Sequence, residues 1–202
     1  TTQSNILVAA CMGILLYYDL TEKEVPRSVL IFQHITVTAV TLTFLVFAIF
    51  LGPFIPDLSV GYFYSVQNLT LHNIVPILAI SQYLYDDNRD IPKYAKYLGL
   101  SSGFIYVIFV YIVHLCGATF GATEFPYFFL DYKEFGWLTI NEGKIGIIYW
   151  WIVIILLLLG ISALLYYLKK KSAERKNIPV AIFNSLIILS IIFIIINIII
   201  KI

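Results

Sequence analysis

The chain has 202 residues, of which 60% are hydrophobic and 12% charged, with a formal net charge of +1. A soluble domain carries about 25% charged residues, so this composition cannot cover a water-facing surface, though it suits a lipid-facing one. The near-zero charge gives no electrostatic case for nucleic acid or an acidic partner.

The chain opens Thr1-Thr2-Gln3-Ser4-Asn5, without Met or a basic leader. No signal peptide is read, and the chain is treated as lacking an earlier segment. Six apolar stretches approach the roughly 20 residues needed to cross a bilayer. The first covers 3–20 and is polar in its first turn. The second covers 28–52 and is ended by Gly52-Pro53. The third covers 69–85, the fourth 97–119, the fifth 144–168 and the sixth 179–200. Inside hydrocarbon each crossing must satisfy its own backbone hydrogen bonds, so these stretches are helices. The expected fold is all-α, a polytopic transmembrane bundle of about six helices, with 1–202 as a single integral membrane domain. The sixth stretch is Ile-rich all round, with Asn184 and Asn197 as its main polar side chains, and reads as a lipid-exposed peripheral helix. Cys11 and Cys116 fall in apolar stretches and read as small packing residues, not a disulfide framework.

Charge alternates between the connections. Lys23 and Arg27 lie between the first two helices. Arg89, Lys93 and Lys96 follow the third, and Lys169, Lys170, Lys171, Arg175 and Lys176 follow the fifth. The second-to-third connection has no Lys or Arg, and the fourth-to-fifth has Lys133, with Lys144 at its border. The positive-inside rule therefore places loops 20–28, 86–96 and 169–178 in the cytoplasm.

Ionisable groups inside a membrane are costly, so each histidine is a candidate site. His72 lies in the first turn of the third helix, near the outer face, and His114 near the outer end of the fourth. His34 lies near the inner end of the second, too far along the helix rise to share a site with the other two. With Gln33, Thr36 and Thr38 nearby, it reads as polar glue between helices. At the outer level also lie Thr1, Thr2, Gln3, Ser4, Asn5, Asn73 and Asp131. Pro76, four residues after His72, lacks the amide that would bond the residue 72 carbonyl, so a kink with a free acceptor is expected there. Phe125-Pro126-Tyr127-Phe128-Phe129-Leu130-Asp131 reads as an interfacial aromatic belt. Its other reading is a lid over an outer pocket, with Asp131 as an orienting acid. The sequon Asn68-Leu69-Thr70 lies almost at the membrane and reads as chance. No metal site or cofactor is expected.

Several of these segments together resemble one family. Thr1 to Ala9 resembles the "FTxQSNxLVA" start of the bacterial Pr6Pr membrane proteins. Ile35-Thr36-Val37-Thr38 resembles their "ITVTG", with Ala39 where Gly is usual. Leu71 to Pro76 resembles "LHxxVP". Phe125 to Asp131 resembles "YPYPFLD", with Phe128 in place of the second Pro, and Gly136-Trp137 resembles the Gly-aromatic pair that follows. His114 stands where bacterial members often carry Arg, and the connection beyond it is longer. In that family a helix normally precedes the threonine motif. The family is similar, more distantly, to the androgen-induced and androgen-dependent membrane proteins, threonine hydrolases of fatty acid esters of hydroxy fatty acids. The resemblance implies a Thr nucleophile at Thr1 or Thr2, a His partner at His72, a lipid-like ester as substrate and a bacterial plasma membrane location.

That chemistry needs a base to activate the poor hydroxyl nucleophile, and a neutral His can supply it. Gln3, Asn5 or backbone amides would stabilise the oxyanion, with Asn73, His114 and Asp131 as further orienting or binding groups. A non-catalytic binding or transport protein with an outer-face pocket of His72 and His114 is the alternative. A structural partner subunit is a third possibility.

Overall fold

The computed structural model describes residues 1–54, 59–86, 90–121, 123–141 and 143–201. The chain is an all-α helix bundle. Five of the described helices are long and apolar enough to cross a membrane. The first rod, α1, is Thr2–Leu20. The second, α2, is Arg27–Val46 and runs on through a π-helical turn, Phe47–Leu51, into Gly52–Phe54. The third, α3, joins Val66–Leu69, a π-helical turn at Thr70–Ile74 and Val75–Tyr85 without a break. Its N-terminal half holds Gln67, Asn68, Thr70, His72 and Asn73, which lower its hydropathy, and it stands outside the set of five. The fourth, α4, is Ala95–Leu98 and Leu100–Leu115, hinged at Gly99. The last two are α5, Ile147–Glu174, and α6, Asn177–Lys201.

The distribution of side chains is that of a protein in lipid. Leu16, Ile105, Ile108, Leu156, Ile188 and Ile199 point outward, while Gln33, His34, Thr38, Asn68, Ser162 and Asn197 are buried. Apolar area faces outward because lipid does not penalise it, and polar groups turn inward to find partners. α2 lies at the centre, packed against α1, α3, α4 and α5, and α6 packs on α3.

Helix ends follow local chemistry. α3 starts earlier than expected because the Ser65 hydroxyl accepts from the Asn68 amide and caps the first turn. α4 ends at Leu115, not 119. Gly117 adopts φ +74°, and the Ala118 and Gly117 amides close back on Val113 and His114 in a Schellman arrangement. Cys116 is therefore exposed, whereas Cys11 is buried, and both thiols are free. α5 starts at Ile147 because Ile140–Asn141 and Lys144–Ile145 pair as a short antiparallel hairpin around Gly143. It also runs past 168 to Glu174, so Lys169, Lys170 and Lys171 belong to a helix and not to a loop. Lys169 is 4% exposed. Its ammonium donates to the carbonyls of Tyr83, at 2.6 Å, and of Asp86, closing the C-terminal end of α3 as a cation suits a helix C-terminus. Arg89, one of the cations used to orient the chain, lies outside the described residues.

α4 approaches α2 and α5 closely through Gly99. A Cβ there would fall within 2.5–2.9 Å of Ser162 and Thr38 side-chain atoms, and one at Gly103 would meet Leu158. The Gly-x-x-x-Gly spacing thus lets the helices pack at short range. Gly99→Val is expected to lower stability by about 1–3 kcal/mol, since overpacking a tight contact forces the backbones apart. Thermal unfolding in detergent or bicelles measures it.

Candidate functional site

Two buried polar clusters occupy opposite ends of the bundle. They are labelled outer and inner only after the orientation expected from the loop charges, and about 16 Å of helix rise separates His72, in the first, from Tyr83, in the second.

The outer cluster originates in two prolines. In the π-helical turn of α2 the Gly52 amide bonds Phe47 O, and residue 53 is proline, so the Ala48 carbonyl has neither an i+4 nor an i+5 amide. In α3 the Val75 amide bonds Thr70 O, and residue 76 is proline, so Leu71 is left in the same way. The ladder widens around Pro53, and the described helix runs to Phe54. An unpartnered carbonyl in hydrocarbon costs several kcal/mol, and each finds an asparagine. Asn197 Nδ2 donates to Ala48 O at 3.0 Å, and Asn5 Nδ2 donates to Leu71 O at 3.2 Å. The expected disturbance near His72 is present as a π turn, and the freed acceptor found with a partner is that of Leu71.

Asn5 Nδ2 also donates to Thr1 O at 2.9 Å. One nitrogen thus holds both the start of α1 and the residue preceding His72. Ser4 joins this end to α2 through Thr43 at 3.0 Å. His72 is 4% exposed, its ring stacks on Phe47 with centroids 3.7 Å apart, and its Nδ1 is buried without a partner among the described residues. No hydrogen bond from a threonine hydroxyl to this imidazole is present among the described residues.

The candidate residues are not equivalent. Thr1 is half-buried, whereas Thr2 is exposed. Gln3 is half-buried, with a buried, unpartnered Oε1. The expectation that Asn5 supplies an oxyanion hydrogen bond is corrected, because both of its amide hydrogens already serve Thr1 and Leu71. Asn73 is engaged structurally. Its Oδ1 accepts from Ser190 Oγ at 2.6 Å and its Nδ2 donates to Asn68 O at 3.4 Å. α6 is the lipid-exposed peripheral helix expected, and a few buried polar groups anchor it. Ser190 and Asn197 form a buried polar stripe on it, while Asn184 stays exposed. Asn68 is 1% exposed, in keeping with the reading of its sequon as chance.

His114 joins a different group. Its ring packs on Phe125 at 4.6 Å, and Nδ1 lies 3.5 Å from Glu124 Oε2. Its ring and ion-pair contacts are to Phe125, Tyr132 and Glu124, and none of them is to His72. Asp131 caps a helical turn, Tyr132–Phe135, by accepting from the Lys133 and Glu134 amides, and does not orient an imidazole. The aromatic segment packs on the outer ends of α4 and α5. There Trp151 Nε1 donates to Phe129 O at 2.9 Å and the Tyr111 hydroxyl to Leu130 O at 3.0 Å. Burial raises the hydroxyl of its Tyr127 above the ordinary tyrosine pKa. The exposed Glu124 is held below the usual carboxylate range by its hydrogen bond from Lys133, 2.6 Å away.

The inner cluster is closed. His34 is fully buried, with Nδ1 2.8 Å from the Tyr83 hydroxyl and Nε2 2.9 Å from Ser162 Oγ. Gln33 Nε2 donates to Gln82 Oε1 at 2.6 Å beside it. Both imidazole nitrogens are in use, as polar glue between α2, α3 and α5 requires. Sequence reading passed over Ser162 and Tyr83 and took Lys169 for a loop cation, because apolar and basic runs do not mark them.

Among the described residues no group of His, Cys, Asp and Glu side chains could hold a metal ion. Comparison with protein-family models, with curated proteins and with solved structures gives no match for the chain.

Proposed function

We propose that the protein is a membrane-embedded threonine-type hydrolase of lipophilic, fatty-acid-ester-like substrates, akin to the bacterial Pr6Pr proteins, with Thr1 as nucleophile and His72 as base. One observation carries the reading: a single amide nitrogen, Asn5 Nδ2, bridges the carbonyls of Thr1 and Leu71 and so tethers the threonine turn beside His72. In the reaction the Thr1 Oγ1 proton passes to His72 as Oγ1 attacks the ester carbonyl. The alcohol departs with that proton, and water then cleaves the acyl-threonine. The Gln3 side chain is the remaining candidate donor for the oxyanion. Catalytic hydrogen bonds are often loose in an apo structure and tighten with substrate, which accommodates the absent Thr–His bond. The aromatic segment serves as a cover over this end.

The test is a fluorophosphonate probe on the full chain in membranes, with the labelled residue mapped by mass spectrometry. Labelling is expected at Thr1, retained in Thr1→Ser and lost in Thr1→Val. Folded protein that neither labels nor cleaves lipid esters would favour the second reading, a non-catalytic binding or transport protein. The lack of any hydroxyl partner on His72 speaks for that reading.

The orientation belongs to the same proposal, with loops 20–28, 86–96 and 169–178 in the cytoplasm. Cysteines replacing Lys23, Lys93 and Lys176, in a Cys116→Ser background, are expected to resist an impermeant thiol reagent applied outside intact cells. Lys144→Cys is expected to react. Modification of Lys176→Cys from outside would overturn the orientation.

A further inference from the structure

Between α2, α3 and α6 lies a cavity of about 10 Å³, room for the centre of one water-sized sphere. Its walls include the rings of Phe44, Phe47, Phe63 and Phe193, which offer no hydrogen bond. Its polar lining includes three side chains with a buried, unpartnered atom among the described residues: Asn68 Oδ1, His72 Nδ1 and Asn197 Oδ1. All three residues are more than nine-tenths buried. The two carboxamides cannot turn over to present an N–H. Asn68 Nδ2 is committed to Phe63 O at 2.9 Å, and Asn197 Nδ2 to Ala48 O and Phe193 O at 3.0 and 2.8 Å. Both therefore remain acceptors.

We propose that this cavity binds one structural water, which donates to Asn68 Oδ1 and Asn197 Oδ1 and accepts from His72 Nδ1–H. Three bonds are what a buried water typically makes, and this assignment satisfies all three orphaned atoms at once. A cation fits less well, since no carboxylate lines the cavity to balance its charge. The water has a chemical consequence. A neutral imidazole carries one N–H, so fixing it at Nδ1 leaves Nε2 as the basic nitrogen. Asn68 and Asn197 become positioning residues that act through the water, as an orienting group does for a catalytic histidine. Only this last step rests on the hydrolase reading; the water site and the tautomer stand without it.

The experiment is ¹⁵N NMR of histidine-labelled full chain in lipid nanodiscs. His72 is expected to show the Nδ1–H tautomer, with its Nδ1 proton in contact with a long-lived water resonance. Asn68→Leu is expected to lose the water contact and mix the tautomers, while His34 signals stay unchanged and report an intact fold. If that variant unfolds, the wild-type spectrum alone decides. An Nε2–H tautomer, or an Nδ1 proton without water contact, overturns the proposal. Failure of fluorophosphonate labelling with the water contact present removes the hydrolase reading and leaves the water site standing.

Discussion

Phenylalanine at His72 is expected to lower ester hydrolysis and fluorophosphonate labelling about 10²–10⁴-fold, the range general-base catalysis contributes. The variant is chosen for what it keeps. His72 stacks on Phe47 at 3.7 Å inside a wall of aromatic rings, and another flat ring preserves most of that contact. His72→Ala is expected to lose the same activity but also to leave a void, adding a stability cost on the order of 1–3 kcal/mol. Activity per folded molecule, with thermal unfolding measured in parallel, separates the two effects. Full activity in folded His72→Phe would eliminate the imidazole as the base and with it the hydrolase reading.

His34→Leu is expected to do the opposite, costing stability while leaving labelling of the surviving folded protein unchanged. Both nitrogens of His34 are bonded in full burial, to Tyr83 and Ser162. Leucine leaves those two hydroxyls without their partner. A buried group stripped of its bond costs about 1–3 kcal/mol, so a total near 2–4 kcal/mol is expected. The magnitude is moderated because a membrane helix can find substitute partners. The double variant Tyr83→Phe with Ser162→Ala is expected to cost less than His34→Leu combined with intact hydroxyls, since it leaves fewer orphaned donors. Unfolding in bicelles across these variants measures the coupling. Loss of labelling in stable His34→Leu protein would connect the two clusters, against their separation by about 16 Å of helix.

The sequence by itself determined that this is a membrane helix bundle. Low charge and six long apolar stretches leave no other way to satisfy the backbone in lipid, and the observed rods begin and end within a few residues of the expected ones wherever periodicity rules. It also separated His34 from His72 and read His34 as glue, because rise per residue alone places them at different depths. Where boundaries moved, a local device moved them: the Ser65 cap, the Gly117 turn, the hairpin before α5. The site was only partly legible. Asn5 looked like an oxyanion donor and Asp131 like an orienting acid. A side chain's chemical type says what it can bond, whereas its partner is set by the neighbour that packing brings to it. Asn5 faces an α3 carbonyl left without an amide by a π turn, Asp131 meets its own helix turn, and Asn197 meets the matching carbonyl of α2. Those orphaned carbonyls arise from one proline in each helix, yet which asparagine fills them depends on how α1 and α6 dock on the pair. Sequence spacing holds no record of that docking, so tertiary structure alone decided which polar residues carry the fold and which remain free for chemistry.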